Sequence, residues 1–336
     1  MSEKITIEDV AKRSGVSIAT VSRIINKKND GYNSETKKRV MEAVRHYNYS
    51  PNPIARSMIT KKTNMVGVII PDIRNPFYPN ISRGIEAVAQ ELGMNVLLLN
   101  SDLMDEKANS HIETCVNLNV DGIIITSQQV TNVGIEYINK FNLPLLRLGT
   151  VDGIGEFNIV DTDMYLGGYL ATEHLIRLGH TKIACIDSGV SKLSRLSRTE
   201  GYLGALRDNN IPVNENLIVS GDSSEHSGWV GMNHLLDSKE EFTAVYIQND
   251  IMALNAYQAI KKAGLSIPKD ISVVGFDDIS FCEMSDPPLT TIRQPTYEMG
   301  REAMKMLKFL IDNPGEKIRK KTFTPELIVR SSTKKI

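Results

Sequence analysis

The 336 residues, 41% hydrophobic and 24% charged, are long enough for two or three domains and too apolar for wholesale disorder. No apolar run approaches the roughly 18 residues of a membrane span, the polar start MSEKITIEDV is no secretory leader, and Cys115, Cys185 and Cys282 lie too far apart for a disulfide framework or a thiol metal site. A cytoplasmic protein with no metal and no cofactor is expected.

The net charge of −1 hides an asymmetry. Residues 1–62 carry 13 Lys+Arg against 6 Asp+Glu, a charge of +7, and the remainder carries −8. A basic head on an acidic body directs the head at a polyanion. The head opens with ITIEDVAKRSGVSIATVSRIIN. Thr6 followed by Asp9 is a capping-box start, and Ile7, Val10 and Ala11 recur at helical spacing. Ser14-Gly15 breaks that helix, and Ser17 caps a second one. On the second helix Ile18, Ala19, Ser22 and Arg23 share one face, while Val21 and Ile24 take the opposite one. A third helix is expected from an N-cap at Ser34, with Val40, Val44 and Tyr47 closing a small core. This is the layout of a helix-turn-helix, although a bare three-helix packing unit would read alike. Lys27, Lys28, Lys37, Lys38 and Arg39 suit phosphates, and Arg23 suits a guanine edge. Pro51 to Met58 then reads as a linker with one helical turn near Pro53.

From Asn64 the pattern becomes alternating β and α. MVGVII (65–70), NVLLL (95–99), GIIIT (122–126) and PLLRL (144–148) read as buried parallel strands, with helices over 82–92, 107–118 and 133–141. The pattern repeats with strands KIACI (182–186), NLIVS (216–220), TAVYI (243–247) and ISVVG (271–275), and helices from Gly201, Ser227, Ile251 and Thr296. Two such arrays imply two doubly wound lobes, with chain crossings near 160–163 and 291–294 and a late strand, TPELIVR, returning to the first lobe. Ligands of these folds sit at the carboxyl ends of the strands. That rule selects the loops 71–78, 187–198, 248–250 and 276–278, which supply aromatics, a guanidinium, an amide and carboxylates, a mixture suited to a polyhydroxyl ligand. Asp250 and Asp277 as helix caps, Phe77 as core and Arg198 as a surface ion-pair partner are the structural alternatives.

Catalytic signatures are missing. Gly153-Ile-Gly155-Glu-Phe-Asn158 ends in Asn and follows no clean strand, and there is no GxxxxGK[ST], HExxH or GxSxG. His174 and His180 are off the spacings of metal ligands, so an enzyme is not expected.

The run from Thr6 to Asn26, the Y-x-P-N-x-x-A-R-S stretch at Tyr49 to Ser57, and then VGVIIPDIRNPFY, VDGIII, RTEGYLGAL, NDIMAL and DISVVGFDD resemble, in order, the lactose-repressor (LacI/GalR) family of bacterial transcriptional regulators. The resemblance implies an α/β chain with an all-α helix-turn-helix head over 1–50, a hinge helix over 51–62, and an effector-binding and dimerisation domain over 63–336 built as two lobes of periplasmic-binding-protein type. It implies DNA contacts from Thr6, Ser17, Ile18, Ala19, Thr20, Ser22, Arg23 and Asn26, and from Asn52, Ala55, Arg56 and Met58 in the hinge. Met58 stands where the family usually has a wedging leucine. The partners implied are a pseudo-palindromic double-stranded DNA operator, a second copy of the chain, and a sugar or sugar-phosphate effector held by Asn75, Phe77, Tyr78, Asp163, Arg198 of an R-x-x-G motif, Asn249 and Asp277. Ser223 and Ser224 follow Gly221-Asp222 where sugar-binding members often have an aromatic. The function expected is repression of a carbohydrate-utilisation operon. The alternative is a catabolite-control-type regulator answering to a phosphorylated carrier protein.

Overall fold

The computed structural model describes residues 5–25, 31–50, 62–126, 130–149, 158–189, 192–221, 224–316 and 319–336. The chain divides into two units, Met1–Thr63 and Asn64–Ile336.

The first unit holds α1 (Ile7–Ser14), α2 (Ile18–Ile25) and α3 (Ser34–His46). α1 starts with the expected box, in which Asp9 Oδ2 accepts from the Thr6 backbone N–H at 2.8 Å and from its hydroxyl at 2.9 Å. It stops at Gly15, whose φ of 66° is the left-handed C-cap that glycine adopts without strain. α2 is capped by Ser17, which accepts from the Thr20 N–H at 3.2 Å. The cap of α3 is Asn33, one residue before the expected Ser34, and it accepts from the Thr36 N–H at 2.8 Å. Val10, Ala11, Val21, Ile24, Val40 and Ala43 form a dry core, with Val44 and Tyr47 packed on it.

The second unit contains two six-stranded sheets. The first comprises β1 (Met65–Ile70), β2 (Asn95–Asn100), β3 (Gly122–Ile125), β4 (Leu145–Leu148), β5 (Asn158–Thr162) and β11 (Lys320–Phe323), in the order β11-β5-β4-β3-β1-β2 and parallel throughout. Its helices are α4 (Phe77–Glu91), α5 (Asp105–Asn117), α6 (Asn132–Lys140) and α12 (Thr296–Asp312). The second sheet comprises β6 (Ile183–Asp187), β7 (Ile218–Ser220), β8 (Ala244–Ile247), β9 (Ser272–Asp277), β10 (Thr290–Arg293) and β12 (Glu326–Ile328), in the order β12-β10-β9-β8-β6-β7. It carries α7 (Met164–Arg177), α8 (Lys192–Asp208), α9 (Glu225–Asp237), α10 (Asp250–Lys262) and the short α11 (Phe281–Met284). Most of the strands read from apolar runs are buried on both faces, as helix-covered parallel sheets require: every residue of β3, β6, β8 and β9 is buried. β2 and β7 are not, because each lies at an edge of its sheet, and their residues are half-buried or exposed.

The chain leaves the first sheet after Thr162, returns through the segment from Arg293 to Thr296, and crosses once more between Phe323 and Glu326. That third crossing corrects the reading of TPELIVR. The return to the first lobe is already made by α12 and β11, whereas Glu326–Ile328 lies in the second sheet, antiparallel to β10 in the register Thr291↔Ile328, Ile292↔Leu327 and Arg293↔Glu326. α4 begins at Phe77, five residues before the expected start. Pro79 sits in its first turn, where a missing N–H costs nothing. Among the described residues no helix is long and apolar enough to cross a membrane.

Candidate functional site

Two surfaces collect the chemistry. In the head, Val21 and Ile24 point into the core, which turns the other face of α2 outward: Ser17, Ala19 and Arg23 are exposed, and Ile18 is 45% exposed. Thr6 is exposed at the start of α1, while Thr20 and Ser22 are half-buried. Ile18, Ala19 and Arg23 thus present an apolar patch and a cation to solvent rather than to the core. Asn26, Asn52, Ala55, Arg56 and Met58 lie outside the described residues.

The second surface lies where the two sheets present their carboxyl ends. Arg198 enters from α8 and is only 8% exposed. Its Nη1 donates to the Gln248 carbonyl at 2.6 Å, its Nε points at Met164 Sδ at 3.4 Å, and its Cζ stands 4.2 Å from the centroid of the Phe276 ring. The glycine of its R-x-x-G motif is what lets α8 approach: a Cβ on Gly201 would stand 2.1 Å from the Tyr165 carbonyl oxygen of α7, and one on Gly168 would stand 2.1 Å from the Arg198 carbonyl oxygen.

Asp277, at the end of β9, is 5% exposed and takes φ 122°, with Asp278 at φ 59°. Gln294 Nε2 donates to its Oδ1 at 2.8 Å. Burial pushes its pKa up to about 8; the Arg198 guanidinium pulls the other way, and the nearby Asp250 carboxyl adds to the rise. Tyr78, from the first lobe, feels the same groups: burial and then Asp277 raise its hydroxyl, against Arg198. Tyr78, Arg198 and Asp277 therefore share one electrostatic neighbourhood drawn from both lobes. Phe77 meets Tyr78 edge-on at 5.1 Å and packs against the cores of both lobes. Core packing, its structural alternative, is thus part of what it does.

Other expected residues have local duties. Asn75 Oδ1 accepts from the Phe77 N–H at 3.0 Å and fixes the entry to α4. Asn249 Oδ1 caps α10, accepting from the Ile251 N–H at 2.8 Å, which leaves its amide nitrogen to offer a ligand. Asp250 is no cap. It is a buried node that accepts from Thr291 Oγ1 at 2.6 Å, the Ile279 N–H at 3.0 Å and the Cys282 thiol at 3.1 Å, and so ties down the loop that carries Asp277. Asp163 is not brought into the group. It is exposed, and its Oδ1 accepts from the Leu166 N–H at 2.9 Å as the cap of α7.

Two glutamines have roles that sequence reasoning did not assign. Gln248, fully buried, supplies the carbonyl that Arg198 holds, while its Nε2 donates to Thr199 Oγ1 at 2.9 Å. Gln294 holds Asp277. Gln248 opens the loop 248–250 that the strand-end rule had selected, and Gln294 ends the expected crossing at 291–294, so position was the only signal. The cleft offers donors, acceptors and ring faces in fixed positions. Cys185 and Cys282, buried in the cores of the second lobe, are poor nucleophiles, since burial raises both thiols.

Comparison with known proteins agrees with this division. Residues 6–52 match the family described as bacterial regulatory proteins, lacI family, and residues 172–333 match a periplasmic binding protein-like domain. The HTH-type transcriptional regulator DegA of Bacillus subtilis is 36% identical over 98% of each chain. The lac repressor dimer bound to operator and the anti-inducer ONPF superposes with a TM-score of 0.87 at 29% identity, covering 99% of this chain and all of that one. A regulator of the same family from Enterococcus faecium with bound ribose superposes with a TM-score of 0.74 at 33% identity, over 81% of this chain and 99% of that one.

Proposed function

Because the chain belongs to the lacI family of bacterial regulatory proteins, which are DNA-binding transcriptional regulators, we propose that it is a homodimeric repressor of a carbohydrate-utilisation operon. Its hold on a pseudo-palindromic operator changes when a sugar or sugar phosphate binds between the lobes. The observation that carries this reading is the Tyr78, Arg198 and Asp277 constellation, a guanidinium, a carboxyl and a phenol gathered from both lobes around one cleft. Arginine and carboxyl groups form paired hydrogen bonds with neighbouring hydroxyls, and the Phe77 and Tyr78 rings suit the apolar face of a sugar. The ribose bound to the Enterococcus faecium relative supports that ligand class.

In the head, the exposed α2 face lies in the major groove. Ile18 and Ala19 meet thymine methyls, and Arg23 pairs with a guanine. Asn26 and the hinge residues Asn52, Ala55, Arg56 and Met58 complete the DNA contacts. Asn75, Phe77, Tyr78, Asn249 and the Arg198–Asp277 pair hold the effector, with Asp163 bordering the crossing.

Thermal unfolding of the full chain against pentoses, hexoses, disaccharides and sugar phosphates tests the proposal. A ligand at about 100 times its Kd adds about 2.7 kcal/mol. A shift from one sugar that Arg198→Ala removes is the expected result. No shift from any compound would move the choice to a catabolite-control-type regulator with a protein co-effector.

A further inference from the structure

Beside the cleft lies a cavity of about 410 Å³ whose walls include Phe77, Asn80 and Arg83 of α4 and Asp277, Asp278 and Ser280 of the loop after β9. Its acceptors are already committed. Asp278 receives Arg293 Nε at 2.7 Å and Arg330 Nη2 at 2.7 Å, one on each oxygen. Asp277 Oδ1 receives Gln294, and burial keeps that carboxyl largely protonated at neutral pH. Asn80 Nδ2 donates to Thr296 Oγ1 at 2.6 Å, and Asn80 Oδ1 faces Arg83 Nη1 at 3.5 Å.

What the walls retain is donor capacity. The Thr296 hydroxyl accepts from Asn80 and keeps its own proton to give. Ser280 caps α11 without a side-chain bond. Arg83, 5.9 Å from the Tyr297 ring, makes no ion pair among the described residues. Two carboxylates are thus cancelled, one by two guanidiniums and one by a proton, while Arg83 keeps its charge. A chamber with donors, a net positive charge and spent acceptors matches an anionic, acceptor-rich group. Phe77 and Asp277 line both this cavity and the cleft, so a group held here is attached to a ring held there.

We propose that this cavity is an anion subsite, with Arg83, Ser280 and Thr296 taking the phosphate of a sugar phosphate whose ring rests at Phe77 and Asp277. The proposal rests on the sugar reading above and narrows it.

Titration calorimetry on the full chain tests it, with the 5-phosphates of pentoses and 6-phosphates of hexoses each measured beside the free sugar. The phosphorylated member of the cognate pair should bind at least about tenfold tighter, the worth of one charge-assisted contact. That preference should shrink with added salt. Arg83→Gln and Ser280→Asp, both at exposed positions, should each abolish it, one by removing the cation and the other by adding a carboxylate. Equal affinities for the two members, or a preference that survives both substitutions, would overturn the subsite alone. Binding by no sugar, free or phosphorylated, would overturn the sugar reading beneath it.

Discussion

Asp277 carries the clearest consequence at the scale of single residues. In an unfolded chain an aspartate loses its proton near pH 4, whereas burial pushes this one up to about 8. Between those values the folded chain retains a proton that the unfolded chain has released, so this group makes stability fall as pH rises through the window and level off above it. Asp277→Asn removes the titration while keeping the shape, and asparagine tolerates positive φ better than most residues. Urea unfolding of both proteins from pH 5 to 8 should show wild type losing ground to the variant as pH climbs. A pH-independent difference would contradict the assignment. Arg23 gives the corresponding expectation in the head. It is exposed and packs into no core, so Arg23→Ala should leave the melting temperature alone and cost about 1–3 kcal/mol of discrimination at one base pair per half-site. Binding to an operator series with single-base changes reads this, and uniform weakening on every sequence would refute a base contact.

Among the elements, the α7–α8 contact decides where Arg198 sits. Gly201→Ala drives a methyl to within 2.1 Å of a carbonyl oxygen on α7, and backbone cannot step aside. The helices must separate, which costs about 1–3 kcal/mol and shifts the arginine. Gly204→Ala, one turn along, meets only the hydroxyl end of the exposed Tyr165 side chain, which can swing away, and a helical glycine replaced by alanine gains up to about 1 kcal/mol. Thermal melts should therefore separate the two, the first destabilised and the second neutral or better. Equal losses would show that the close approach is not what the motif's glycine protects. The same contact marks how far the sequence could be read. The R-x-x-G motif pointed to Arg198, but the reason for its glycine is a backbone 36 residues away in the chain, Tyr165 against Gly201. Strands with unbroken apolar runs, such as β1, β3 and β8, were legible because both their faces are buried. β5, β10 and β11 were not, since NIVDT, TTIR and KKTF carry polar or charged residues and β11 closes an edge of its sheet. TPELIVR was placed on the wrong sheet because a three-residue strand is defined by its partner, and no local pattern names β10. Gln248, although inside a selected loop, and Gln294 were given no role for a similar reason: a glutamine acquires one only from what the fold sets opposite it.

At the scale of the whole molecule, regulation requires that cleft and operator share one equilibrium. Three short crossings join the lobes, so rotation about them is resisted by few residues. Phe77 packs against both cores, and Asn80 bonds Thr296 where the second crossing enters the first lobe. A ligand that engages Phe77 and Tyr78 on one side and Arg198 and Asp277 on the other binds one lobe angle better than the rest, and only that difference in affinity shifts the population. The shift reaches DNA through whatever the same angle does to the paired heads. Linkage then fixes a quantity that needs no knowledge of the path: if saturating effector changes the operator Kd of the dimer by some factor, saturating operator must change the product of the dimer's two effector dissociation constants by the same factor. That factor should fall at roughly 5–150-fold, the range of 1–3 kcal/mol couplings. Operator titrations with and without effector, set beside effector titrations with and without operator at one salt concentration, give both numbers. Salt must be held fixed because the +7 head releases counterions on binding, which alone moves operator affinity by orders of magnitude. Equal factors place both ligands on one two-state body, with the sign separating an inducer from a co-repressor. Unequal factors would mean that the effector also acts on a species outside that cycle, such as the dissociated monomer, and that lobe rotation alone does not carry the signal.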